Sequence, residues 1–199
     1  IVTSKIYADS SEDLNMYKDK IIVLPIGIPE KISNSFIIEK SLYQNLYNKN
    51  KNKKIVIYVG RFVKYKSLLR FIDSSSNLTK DAVLFLIGDG PEKDNMKNLI
   101  EKNNIQDKVF ILDKVDDDEL EYLYSKARVF CLPSRTKAEA FGIVLIEAMK
   151  FGVPLVVNKI SGSGVNWVNK NNVTGYEINS ENDNDFFIKV NKIVQDDSI

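Results

Sequence analysis

Residues 129–157 read VFCLPSRTKAEAFGIVLIEAMKFGVPLVV. The apolar run 129–132 has the length and composition of a buried strand. Pro133 opens a polar loop that runs to Ala138, and the chain turns at Glu139-Ala140-Phe141-Gly142. Residues 143–151 are apolar at helical length, Gly152 stops them, and a second strand starts from Pro154. Strand, helix and strand in this order form a crossover unit, whose two strands lie parallel.

The same rhythm extends in both directions. Upstream, residues 55–59 (IVIYV) close at Gly60 and a helix follows over about 66–76. Residues 82–87 (AVLFLI) close at Gly88-Asp89-Gly90-Pro91, and Pro91 suits the first turn of a helix that runs to about Lys102. Residues 109–112 are a third strand, and Asp116 to Asp118 put negative charge at the start of a helix that reaches about Lys126. Downstream come a short helix or turn at 165–168, a strand at 174–178 and a final helical pattern over 181–195. Strands that are apolar throughout, each followed by a helix, predict a doubly wound, Rossmann-like α/β domain with a parallel sheet covered on both faces. Ligands of such sheets sit beyond the carboxyl ends of the strands. Before residue 55 the pattern loosens: a helix around 10–17, a short buried strand over 20–29, a helix within 37–47 and a solvated Asn/Lys run at 48–54. The expected organisation is an incoming segment at 1–29, a linker at 30–54 and a compact domain at 55–199.

Composition narrows the chemistry. The 199 residues carry a formal net charge of +1, so no bulk electrostatic case exists for nucleic acid. There is no histidine, which removes Ser-His-Asp and Cys-His catalysis and His-based metal sites. One cysteine, Cys131, sits within an apolar strand and argues for a core position in a reducing compartment. No apolar run approaches the ~20 residues of a membrane span.

The loop that feeds the helix at 143–151 is a natural anion site, because the first backbone N–H groups of a helix lack partners and the helix dipole is positive there. Two carboxylates, Glu139 and Glu147, bracket that turn. Hydroxyl recognition is the natural task of carboxylates beside an anion site, and phosphate with hydroxyls suggests a sugar nucleotide. Salt bridges or a partly exposed helix face would explain the same carboxylates more simply. Arg61, just after the first strand of the domain, and Lys66, at the start of its helix, suit a diphosphate, although a solvated basic loop accounts for them too. The Gly88-Asp89-Gly90 turn lacks dinucleotide-fingerprint spacing and can be read as geometry alone. The acidic run 116–119 reads as a helix start rather than a metal site. Trp167 reads as a core residue or as the lining of a sugar site, and the core reading is favoured.

In order, VGR-x(4)-K, LIGDGP, VFILDKV, LPS, EAFGIVLIEAM-x-FGVP, a Gly/Ser loop and NVTGY resemble the C-terminal, donor-binding domain of GT-B glycosyltransferases. The similarity is greatest to the retaining bacterial polysaccharide and lipopolysaccharide enzymes with a Glu-x(7)-Glu motif, glycosyltransferase family four. It covers residues 55–199. The resemblance implies that Arg61 and Lys66 hold the donor diphosphate and stabilise its developing charge. It further implies that Glu139 meets the transferred sugar and Glu147 the ribose, that the backbone amides of Phe141, Gly142 and Ile143 meet sugar and phosphate oxygens, and that Val115 lies beside the base. Ser67 and Ala140 stand where relatives usually carry glycine.

The expected activity is transfer of a hexose from a UDP-, GDP- or ADP-sugar to a glycan or lipid-linked acceptor with retention, without a metal or other cofactor. The acceptor site would belong to an N-terminal domain largely missing from this chain. The expected setting is the bacterial cytoplasm, with peripheral contact to the inner face of the membrane. A nucleotide-sugar-binding domain without transferase activity, or a fragment of a GT-B epimerase, is the alternative.

Overall fold

The computed structural model describes residues 1–29, 42–113 and 115–196. The chain begins with α1 (Lys5–Ser10) and a 3₁₀ segment, Glu12–Lys20, followed by α2 (Leu42–Lys49). The alternating part then runs β1 (Lys54–Val59), α3 (Leu68–Ser74), β2 (Ala82–Ile87), α4 (Lys93–Lys102), β3 (Val109–Leu112), α5 (Asp117–Lys126) and β4 (Ala127–Leu132). It closes with α6 (Ile143–Lys150), β5 (Leu155–Asn158), α7 (Val165–Val168), β6 (Gly175–Ile178) and α8 (Asn184–Gln195).

The strands form a six-stranded sheet in the order β3-β2-β1-β4-β5-β6, with every pair parallel. The predicted doubly wound, Rossmann-like α/β class is the observed one. Chain direction across the sheet reverses between β1 and β4, and that boundary is the switch point where such folds open a crevice. β1 and β2 are buried along almost their whole length, which is why they read as uninterrupted apolar runs. Helices α3, α4 and α8 pack on one face, where Phe71 of α3 stacks on Phe187 of α8 with ring centroids 5.0 Å apart. On the other face α6 packs against α7, and a side-chain hydrogen bond joins it to α5. Asp116 caps α5 in a full capping box with Glu119, as its acidic start predicts. No helix among the described residues is long and apolar enough to cross a membrane.

Two features of the first 29 residues differ from expectation. The helix expected around 10–17 is divided between α1, which ends at Ser10, and the 3₁₀ segment. The stretch at 20–29 is not a buried strand: it forms a single parallel bridge, Val2 to Val23, and leaves Ile22 63% and Leu24 60% exposed. Its apolar residues lack a second layer to pack against, so composition alone misjudged their burial. Residues 30–41 lie outside the described residues, as does the first part of the helix expected within 37–47.

Candidate functional site at the β1–β4 switch point

Beyond the end of β1, Gly60 leads into Arg61, and beyond β4 Pro133 leads into Ser134 and the loop to Gly142. The β1 and β2 loops are zipped together past the sheet: the Phe62 N–H donates to the Asp89 carbonyl (2.8 Å) and the Glu92 N–H to the Phe62 carbonyl (3.0 Å). Gly88 is required by this approach, since a Cβ there would stand 2.0 Å from the Gly60 carbonyl oxygen. The Gly88-Asp89-Gly90 turn is thereby explained by backbone packing. The fully exposed Asp89 carboxyl is held below its ordinary value by the Gly90 N–H and then by the Lys93 ammonium.

Lys66 does not begin α3. It ends a 3₁₀ turn, Lys64–Lys66, and Ser67 turns the chain through a left-handed conformation (φ 58°) before the helix starts at Leu68. That turn buries Lys66, 7% exposed, and aims its ammonium at the Glu139 carboxylate. Glu139, 6% exposed, takes both the Lys66 ammonium and the Ser134 hydroxyl (2.9 Å) on Oε2. Its Oε1 has no partner among the described residues. The Ser163 hydroxyl donates to the Glu139 carbonyl, and the Gly164 N–H to the Ala140 carbonyl (2.8 Å), so the loop after β5 braces the turn from below. Below Lys66, the Tyr58 hydroxyl donates to the Arg61 carbonyl (3.1 Å). Burial first, then the Glu139 charge, pushes that phenol far above its ordinary value. Sequence reasoning assigned Lys66 to a diphosphate and Glu139 to a sugar hydroxyl; the structure joins the two side chains directly.

Arg61 is exposed, and its guanidinium has no side-chain partner among the described residues. Phe141 is buried and its ring lies 6.0 Å from that of Trp167. Trp167 itself is 38% exposed, with the Lys170 ammonium over it, and so is not the core residue expected. Its helix, α7, is a single turn at the rim and cannot cover an indole. Gly142 takes φ 79° to turn the chain into α6. The Phe141, Gly142 and Ile143 amides find no acceptor among the described residues. Ile143 and Glu147 share one face of α6, separated by about 6 Å along the axis. Glu147 is half-buried and accepts the Tyr124 hydroxyl on Oε2 at 3.0 Å. It borders a cleft of about 330 Å³ between α5 and α6, lined by Asp117, Leu120, Tyr124 and Lys150 and bordered by Ile28 and Pro29. Val115 sits in the loop between β3 and α5, packed against the core. Cys131 is fully buried, and burial raises its thiol well above the usual range.

Among the described residues the geometry therefore collects helix amides without an acceptor, an exposed guanidinium, an ammonium with spare donors and two carboxylates with one unpartnered oxygen each. Such a set can hold an anion and bind hydroxyls beside it. Ser134, Ser163, Tyr58 and Tyr124 were missed as members. Only the tyrosines left a signal, since a phenol on an apolar face needs a partner for its hydroxyl.

The family described as glycosyl transferases group 1 matches residues 40–199. This chain belongs to that family. Among group 1 relatives, the O-antigen chain mannosyltransferase C of Escherichia coli is 26% identical over 175 residues, covering 88% of this chain and 45% of the relative. N-acetyl-alpha-D-glucosaminyl L-malate synthase of Bacillus anthracis is 32% identical over 118 residues, covering 58% of this chain and 30% of the relative. Among solved structures, HepE of Anabaena, in complex with UDP and glucose, superposes with a TM-score of 0.74 at 20% identity, over 89% of this chain and 48% of HepE. Sucrose-phosphate synthase of Thermosynechococcus elongatus reaches 0.76 at 24% identity, over 98% of this chain and 48% of its own. The chain spans less than half the length of each of these four proteins.

Proposed function

We propose that the chain is the donor-binding part of a retaining glycosyltransferase of the Glu-x(7)-Glu type, family four, acting on a nucleoside diphosphate hexose. The observation that carries this reading is the set of amides at the start of α6 that find no acceptor among the described residues, at the β1–β4 switch point, with a Glu147 oxygen unpartnered among the same residues one turn further on. A diphosphate fits the amides of Phe141, Gly142 and Ile143 together with Arg61. Lys66 gives Glu139 one bond and has further N–H donors for a phosphate oxygen. The free oxygen of Glu139 suits a hydroxyl of the transferred sugar, that of Glu147 suits the ribose, and Val115 suits the edge of the base.

In the reaction the bond from the anomeric carbon to the diphosphate oxygen breaks, and a bond to an acceptor hydroxyl oxygen forms on the same face. The acceptor proton leaves with the departing phosphate. Negative charge grows on the diphosphate, where fixed donors lower the barrier most. The cations take the place of a metal ion in this reading. The acceptor is a glycan or lipid-linked saccharide of bacterial surface polysaccharide, met in the cytoplasm at the membrane's inner face and held by residues outside this chain. Alone, the chain binds donor and turns it over poorly.

A thermal-shift panel of UDP-, GDP- and ADP-sugars tests the reading, because a ligand that binds only the folded state raises apparent stability with the logarithm of its concentration over Kd. One donor is expected to shift the transition, and Glu147→Ala to remove the shift. No shift with any donor, or an unchanged shift in the variant, overturns it.

A further inference from the structure

We infer that Tyr124 is a positioning residue, which holds the Glu147 carboxylate in the orientation that distinguishes a ribonucleotide from one lacking ribose hydroxyls. The inference rests on the donor-site reading given above.

A glutamate side chain at the edge of a cleft samples many rotamers unless something fixes it. Here the fixing group comes from the neighbouring helix. Tyr124 lies on α5, 23 residues from Glu147, and its hydroxyl meets Oε2 at 3.0 Å. The tyrosine is itself immobile: it is 2% exposed, and its ring stacks on Phe151 at 5.8 Å with 10° between planes and lies 6.1 Å from Phe130. A rigid donor on one oxygen leaves the other, Oε1, to face the cleft as an acceptor for a hydroxyl pair. Burial, and then the Glu147 charge, push the Tyr124 hydroxyl well above the ordinary phenol range. It therefore stays protonated, and a donor, at every working pH. The cleft, bordered by Ile28 and Pro29, is near the lower end of the roughly 300–1,000 Å³ of small-molecule sites.

The test compares binding of UDP, GDP and ADP, each against its 2′,3′-dideoxy analogue, by calorimetry on the full chain. The pair whose ribonucleotide binds most tightly is then measured with Tyr124→Phe, Glu147→Ala and the double variant. The wild-type chain is expected to prefer the ribonucleotide about tenfold or more, in the range of a hydrogen bond to a charged group. Tyr124→Phe keeps the stacked ring, is expected to fold, and should lower that preference about three- to tenfold while leaving the dideoxy affinity unchanged. Added to Glu147→Ala, which leaves the Tyr124 hydroxyl no acceptor at that position, it should change nothing further. A preference unaltered by Tyr124→Phe, or an equal loss of both ligands, overturns the inference and leaves the ribose reading of Glu147 intact. A wild-type chain without preference overturns both. Should Tyr124→Phe unfold, 4-fluorophenylalanine at position 124 supplies the second variant, because it is close to tyrosine in size and cannot donate.

Discussion

The Lys66 ammonium and the Glu139 carboxylate, 73 residues apart in sequence, form a buried ion pair between the loop after β1 and the loop after β4. The pair spans the boundary where the sheet changes direction, so it is both a clamp on the fold and part of the candidate site. Loss of one partner of such a buried pair costs more than loss of both, because it leaves a buried charge without compensation. Lys66→Met or Glu139→Gln should lower unfolding free energy by about 3–5 kcal/mol each, while Lys66→Met with Glu139→Leu should recover much of it. Denaturant melts of the three variants measure this, and the double variant should still bind no nucleotide sugar.

Arg61 offers the opposite case. Its guanidinium is exposed and bonded to no described side chain, so Arg61→Met should leave the melting temperature unchanged. Donor affinity should fall roughly 10- to 150-fold, the value of a charged hydrogen bond to phosphate. Calorimetric titration of the variant, at two salt concentrations, separates this local effect from general electrostatics.

Two glycines should respond very differently to alanine. At Gly88 the new methyl would meet the Gly60 carbonyl, so Gly88→Ala should prevent folding or lose more than about 3 kcal/mol. At Gly152 nothing lies within 4 Å of the new Cβ, and only the φ of 71° is unfavourable. Gly152→Ala should cost about 1–2 kcal/mol. Melts of the two variants side by side check the contrast.

The buried phenols predict behaviour in alkali. Tyr58 and Tyr124 both have raised values, chiefly through burial. Their protonated forms therefore favour the folded state. That contribution is intact below the ordinary phenol value of about 10 and declines as pH rises past it, because the unfolded chain then releases protons that the folded one retains. Absorbance titration near pH 11 should count fewer tyrosinates among the nine tyrosines in the folded chain than in the unfolded chain. Stability should drop across the same interval, and less steeply in Tyr58→Phe.

The sheet was legible because its strands, buried on both faces, are written as unbroken apolar runs; the strands at 82–87 and 109–112 coincide with β2 and β3. Positions at strand ends were legible for the same reason, which is why Arg61 and Glu139 could be put near the crevice. Their partners were not. Spacing within α6 says nothing of which residue of α5 faces Glu147, and no local pattern ties Lys66 to a carboxylate 73 residues on, in the loop after the neighbouring strand β4. Ile22 and Leu24 show the converse error: their apolarity is local, but burial depends on a layer that the rest of the chain must supply.

The parallel order of the sheet also sets a schedule. β1 finds β2 across one helical crossover, but it reaches β4 only after β2, β3 and their helices have been traversed. Closing that larger loop is entropically slower, as for non-local pairings in general. Ellipticity should therefore recover on refolding before nucleotide affinity does, since the two loops that carry Lys66 and Glu139 meet only when the central pairing is complete. A ligand-binding signal followed by stopped flow would then act as a clock for the last event of assembly.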